Sequence, residues 1–361
     1  MRIAFDTTPM RLSGGGVGTY TRELLRALHD VEDIDIVDVH HDGTDRSSRS
    51  GRVLGGIARE ATYYPRGAAR AAIAAHADLL HVPASMPARS RGGMPIVLTV
   101  HDAIPWTHPE WFTRANALQQ RLLVTRAARR ADRVITVSET SKRELAEHVG
   151  IDPERIDVVH NGISERFSPD HRDRAWLRDR FGIEGPAVLS VGTPEPRKNL
   201  PGALAAFDLV RRQLPDARLL LVGGDGWRMP DLEDRVAALG DAVVATGRIP
   251  EIDLVRLYAS ADCLLFPSFE EGFGLPPLEA MASGLPVVCS DRPSLPEVVG
   301  DAAEMRDPDD IDGLAKSVVS VLSEPALADR LRALGLAQSA RFTWRAAAAG
   351  TVAAYRCTLS H

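Results

Sequence analysis

Glu271 and Glu279 bracket the run Gly272-Phe273-Gly274-Leu275-Pro276-Pro277, and these residue types at this spacing could do chemistry. Gly272 and Gly274 let the backbone approach a ligand and take dihedrals that a Cβ forbids. Pro277 suits the first turn of a helix and Gly284 its end, so a short helix is predicted to begin at this loop. Free N–H groups at such a start attract an anion. Carboxylates on either side of it can accept hydroxyl hydrogens. An anion flanked by polyols describes a sugar nucleotide.

The cations that an anion needs are also present. Of 43 basic residues only Lys142, Lys198 and Lys316 are lysine, and Lys198 follows Arg197 in Gly192-Thr193-Pro194-Glu195-Pro196-Arg197-Lys198-Asn199. A compact ammonium acts as a point charge on phosphate, and a guanidinium grips it as a fork. Asn199 also suits the cap of a helix starting at Leu200. Elsewhere, His101-Asp102 ends an apolar run, Gly14-Gly15-Gly16-Val17-Gly18 precedes a helix expected over 19–28, and Ser138-Glu139-Thr140-Ser141 has the spacing of a helix cap.

The elements that must position these residues alternate between short apolar runs and helical stretches, which predicts parallel sheets covered by helices. The expected strands are 2–5, 34–39, 78–81, 96–100, 133–137 and 156–159, then 187–191, 218–222, 243–246, 263–266 and 287–290. Nearly every unusual polar cluster follows a strand, where open parallel sheets bind ligands. The 361 residues accommodate two domains. We expect an N-terminal Rossmann-like domain over 1–165, a charged linker over 166–186, a nucleotide-sugar-binding domain over 187–340, and a helix over 341–361 packing back on the first domain. The fold class is thus α/β, with two parallel-sheet domains facing across a cleft. A net charge of −6 argues against nucleic acid as a partner. No apolar run reaches a membrane span, and Cys263, Cys289 and Cys357 lack metal-site spacing, so a cytoplasmic chain with reduced thiols is expected. The arginine-rich segments 46–70 and 114–133 leave peripheral membrane contact as an expectation to weigh against ordinary amphipathic helix.

Taken together, Gly192-Thr193-Pro194-Glu195-Pro196-Arg197-Lys198-Asn199-Leu200, Glu271-Gly272-Phe273-Gly274-Leu275-Pro276 and His101-Asp102-Ala103-Ile104-Pro105 resemble the retaining glycosyltransferases of family 4, over nearly the whole chain. That resemblance implies the glycosyltransferase-B fold. Its paired-glutamate motif falls on Glu271 and Glu279, whereas Glu270 has leucine at the matching position 278. It further implies that Glu271 holds donor-sugar hydroxyls and Glu279 the ribose. The backbone of Phe273, Gly274 and Leu275, beside Gly272, would line sugar and phosphate. Arg197 and Lys198 would neutralise the leaving diphosphate, His101 would orient hydroxyls near the anomeric carbon, and Gly16 and Gly18 would admit donor phosphates. Arg248-Ile249 would border the nucleobase. Where many members carry another arginine, this chain has Thr193.

The implied activity is hexose transfer from a nucleoside diphosphate sugar to an acceptor hydroxyl, without metal or other cofactor. GDP-mannose is the first expected donor and a UDP-sugar the second. The acceptor could be a glycan, a lipid-linked sugar or a small molecule. Two rivals share the fold: a sugar-nucleotide epimerase and a non-catalytic nucleotide-sugar binder. A nicotinamide dehydrogenase fits worst, because Gly14, Gly16 and Gly18 lack the required triad spacing. Asp33-Ile34-Asp35 matches a metal-binding Asp-x-Asp but lies in a strand-like run, and is read as chance.

Overall fold

A computed structural model describes residues 1–12, 15–41, 64, 66–85, 93–224 and 231–360. Gly14 and most of the arginine-rich stretch 46–70 lie outside them. The chain divides into two units, one of Met1–Gly162 with Thr343–His361 and one of Ile163–Phe342.

In the first unit six strands, β1 (Arg2–Asp6), β2 (Asp35–Val39), β3 (Leu79–Val82), β4 (Ile96–Thr99), β5 (Arg133–Thr136) and β6 (Ile156–Val158), pair in the order β2-β1-β3-β4-β5-β6. Every pairing is parallel. Helices cover both faces of such a sheet, so its inner strands read as unbroken apolar runs; β3 and β4 are buried at every position. The helix Trp344–Leu359 belongs to this unit, burying Trp344, Ala347, Ala348, Thr351, Val352, Tyr355 and Thr358 at helical spacing.

The second unit contains β7 (Ala187–Val191), β8 (Arg218–Val222), β9 (Val243–Gly247), β10 (Cys263–Phe266), β11 (Val287–Ser290) and β12 (Ala303–Arg306), in the order β12-β11-β10-β7-β8-β9. All of these pairings are parallel as well. This is the doubly wound arrangement, whose strand order reverses between β7 and β10.

Each of the eleven expected strands forms, with no end shifted by more than one residue. Strand β12 has no counterpart among them. Its sequence, Ala303-Glu304-Met305-Arg306, is half-buried throughout on an edge, with Glu304 bonded to Arg306, so it lacks the apolar run of a central strand. The segment 166–186 is not a linker. It carries the helix Arg174–Phe181, and Phe167, Leu177 and Ile183 enter the core of the second unit. Arg172 and Arg174 fasten it to Asp262 at 3.2 and 3.0 Å. The charge that suggests a linker therefore makes packing contacts. No helix among the described residues is long and apolar enough to cross a membrane.

Candidate active site

At the end of β7 the chain turns through Gly192, at φ 154°, into a single helical turn, Pro196–Lys198. The Lys198 side-chain stem packs over Gly192, 3.4 Å from where a Cβ would stand, and the positive φ is what favours glycine there. Asn199, at φ 48°, ends the turn and caps the helix Leu200–Gln213 by accepting from the Gly202 N–H at 3.1 Å. The loop after β10 is stitched to this turn, because the Phe269 N–H donates to the Arg197 carbonyl at 2.7 Å.

Adjacent strands on either side of the reversal point thus deliver a cluster of charges. Lys198 donates from Nζ to Glu271 Oε1 at 2.6 Å, and Arg197 donates from Nη1 to Glu271 Oε2 at 2.6 Å. Arg197 Nε also donates to Glu195 Oε2 at 2.6 Å. Glu271 and Lys198 are both under 10% exposed. The ammonium sits 4.8 Å from the centre of the Phe266 ring, a cation–π contact. Burial alone would raise the Glu271 carboxyl, but the charges of Arg197 and Lys198 and its hydrogen bonds outweigh it and hold the group below its usual range. Burial lowers Lys198, with Glu271 opposing the shift.

Sequence reasoning gave Arg197 and Lys198 to the diphosphate and Glu271 to the sugar, and the structure brings all three together. It left Glu195 and Phe266 without a role. Glu195, two residues before Arg197, is the available signal for a carboxylate that orients a guanidinium.

Gly274 precedes the helix Leu275–Ala282 at φ 113°, and a Cβ there would stand 2.6 Å from Leu295 Cδ2. Both strain and clash act on one residue, so Gly274→Ala is expected to destabilise the chain by about 1–3 kcal/mol. A urea melt checks this, and an unchanged midpoint would refute it.

The helix start differs from the expected anion site. Its second and third residues are Pro276 and Pro277, which have no N–H, and the Leu278 N–H bonds the Gly274 carbonyl. The first turn of this helix therefore offers fewer backbone donors than an ordinary helix start.

Glu279 is the fifth residue of that helix, on its second turn rather than its first. Burial raises its carboxyl to about 7, opposed by the Tyr258 hydroxyl and by the charges of Arg166 and Lys198, while Glu251 pushes it further up. A diol is best accepted by the ionised form. Affinity for a nucleoside diphosphate sugar, whose phosphates do not titrate here, should therefore rise as pH increases through about 7 and then level off. Glu279→Gln should flatten that profile in calorimetry. A flat profile in the parent chain together with unchanged affinity in Glu279→Gln would exclude Glu279 from the ligand.

Arg248 and Ile249 follow β9, two strands from β7 and so about 10 Å away. Arg248 is exposed and lies against Gly224, whereas Ile249 packs on the core.

In the first unit, His101 follows β4 and is half-buried. Its Nε2 meets the Pro83 carbonyl at 3.2 Å. A carbonyl only accepts, so Nε2 carries the proton and Nδ1 keeps its lone pair. Burial lowers the ring's pKa against the Pro83 bond and Asp102, which favours neutral imidazole. Ser141, whose backbone N–H is bonded by the capping Ser138 hydroxyl, donates its own hydroxyl to the His101 carbonyl at 3.2 Å. The helix expected over 19–28 runs Gly16–His29. Gly18 is buried within it, and Gly16 begins it with open space where a Cβ would stand. Asp35 pairs with Arg2 at 3.3 Å, and among the described residues no group of three or more His, Cys, Asp or Glu could hold a metal.

Residues 177–336 match the family model for glycosyl transferases group 1, and residues 14–167 that for glycosyltransferase family 4. The O-antigen chain mannosyltransferase B of Escherichia coli is 31% identical, over 99% of this chain and 100% of the relative. Sucrose-phosphate synthase from Thermosynechococcus elongatus superposes with a TM-score of 0.76 at 21% identity, covering 100% of this chain and 99% of that one. An Anabaena protein solved in complex with UDP-glucose gives 0.73 at 19% identity, over 99% and 100%. The fold is therefore that of the glycosyltransferase-B class, and the chain is a glycosyltransferase. It belongs to glycosyltransferase family 4.

Proposed function

We propose that this chain is a retaining hexosyltransferase that moves mannose from GDP-mannose, or failing that a hexose from a UDP-sugar, to a hydroxyl of a glycan acceptor, without metal. The observation that carries this reading is the buried Arg197–Lys198–Glu271 cluster at the reversal point of the second sheet. As the bond from C1 to the diphosphate oxygen breaks, negative charge grows on the leaving group, and the two cations, once turned from Glu271 to the diphosphate, stabilise it. Glu271 has both oxygens engaged by those cations and its basicity lowered, which makes it a poor covalent nucleophile. That favours front-face attack. The acceptor oxygen bonds to C1 on the face that the diphosphate leaves, and its proton passes to the departing phosphate oxygen. The full-length mannosyltransferase relative supports mannose and a glycan acceptor. His101, neutral with Nδ1 open, is suited to accept from a hydroxyl.

Screening nucleotide sugars by thermal shift, then mass spectrometry and anomeric NMR of acceptor products with a chelator present, tests each part. We expect GDP-mannose to stabilise the chain, and product to form with the donor's anomeric configuration in the chelator's presence. An inverted product would remove the retaining mechanism, and loss of activity on chelation the side-chain cations' sufficiency. Donor conversion without acceptor would point to an epimerase.

A further inference from the structure

Behind His101 the first unit holds a chain of buried polar side chains that the proposed reaction does not use. Tyr20 comes from the helix Gly16–His29, His81 from β3, Thr99 from β4 and Tyr355 from the helix Trp344–Leu359. None is more than 1% exposed. Tyr355 Oη lies 2.6 Å from His81 Nδ1, His81 Nε2 lies 2.9 Å from Thr99 Oγ1, and Thr99 Oγ1 lies 3.1 Å from Tyr20 Oη. Burial, helped by the nearby His101, pushes His81 down to about 3, so it is neutral, with one nitrogen donating and one accepting. Burying four polar groups is costly unless each is bonded, and a bonded network fixes one geometry where an apolar core would tolerate several.

What this network holds is the Tyr20 ring. That ring stands edge-on to the His101 imidazole, 4.7 Å between centres at 87°, and Trp344 also borders it at 6.1 Å. Among the described residues the His101 ring has one hydrogen bond, to Pro83, about which it could still tilt.

We propose that Tyr20 is a positioning residue for His101, with its own pose fixed through Thr99 and His81 by Tyr355 of the helix Trp344–Leu359. The His101 plane, and with it the direction of the Nδ1 lone pair, is then set by a residue more than 250 positions later in sequence. The inference rests on the reading of His101 as a group that takes a substrate hydroxyl.

Four variants of the full chain test it: Tyr20→Leu, Tyr20→Phe, Tyr355→Phe and His101→Ala. Each is read by steady-state kinetics with the donor found above, by thermal melting, and by the 15N resonances of His101. Tyr20→Leu is expected to lower kcat at least about tenfold while donor KM stays within about twofold, since small misplacements of a reacting group are costly. It should also move the His101 nitrogens toward a mixture of tautomers. Tyr20→Phe keeps the ring but cuts its bond to Thr99, so it should recover only part of the loss and still shift the His101 resonances. Tyr355→Phe, which changes nothing within the first contact of His101, should shift the same resonances in the same direction by less. A lowered melting temperature with unchanged kcat and resonances would reduce the network to core packing and overturn the proposal. If Tyr20→Leu fails to fold, the two phenylalanine variants decide, and unchanged resonances in both overturn it. Full activity in His101→Ala would remove the reading of His101, yet the resonance shifts would still report whether Tyr20 holds the ring.

Discussion

Lys198→Ala is expected to lower turnover at least about tenfold while the chain stays folded. The ammonium is buried, bonded to Glu271 and held against Phe266, so no neighbouring water can take its place cheaply. A charge-assisted hydrogen bond is worth about 1.5–3 kcal/mol, which corresponds to roughly 10–150-fold if the contact strengthens as the diphosphate leaves. Stability should fall as well, because Glu271 would retain Arg197 as its one strong partner. Lys198→Met fills the same space without charge and separates the two effects: it should restore part of the melting temperature and none of the turnover. Arg197→Ala should behave similarly, with a smaller cost to folding, since its side chain is 24% exposed. Activity within threefold of the parent in both alanine variants would end the assignment of these cations to the diphosphate.

Glu271→Gln should produce two opposite changes. On sequence alone this glutamate faces the sugar, and its replacement should leave affinity for the free nucleoside diphosphate untouched. Its bonds to both cations alter that expectation. The carboxylate bonds the same groups that a diphosphate would need. Removing its charge frees them, so the bare nucleoside diphosphate should bind more tightly, by roughly tenfold or about 1.4 kcal/mol. Turnover should drop at the same time, and discrimination among donor sugars should weaken, because a site built around a hydroxyl loses selectivity with its partner. Calorimetry with the nucleotide beside kinetics with the sugar donor reads both. Weaker nucleotide binding in Glu271→Gln would show that the carboxylate does not compete for the cations.

The sheets were legible because parallel strands buried on both faces spell themselves as apolar runs: Cys263-Leu264-Leu265-Phe266 admits few other readings. Strand β12 was not, because an edge strand needs only one covered face and can carry Glu304 and Arg306. The segment before β7 misled for a related reason. Its arginines spend their charge on Asp262 and on backbone carbonyls, so they read as solvated while they pack. At the site, motif spacing located the loops, yet it could not show that Glu271 points at the cations rather than away from them. The partners of His101 were invisible for another reason. Tyr20, His81, Thr99 and Tyr355 sit at ordinary core positions of four separate elements, and only the fold makes them neighbours.

The chain leaves the first unit at Gly162 and re-enters it at Thr343, where the Ile163 N–H and the Phe342 carbonyl lie 3.0 Å apart. On the ribosome this inverts the order of maturation. Strands β1 to β6 emerge first, but the helix that packs on β4, β5 and the helix Gly16–His29 emerges only after all of Ile163–Phe342. The second unit is contiguous and can finish while the first still exposes that apolar face, the state in which nascent chains aggregate or recruit chaperones. The earlier-made half is thus completed last, and the vulnerable interval of biosynthesis lasts as long as translation of the other half.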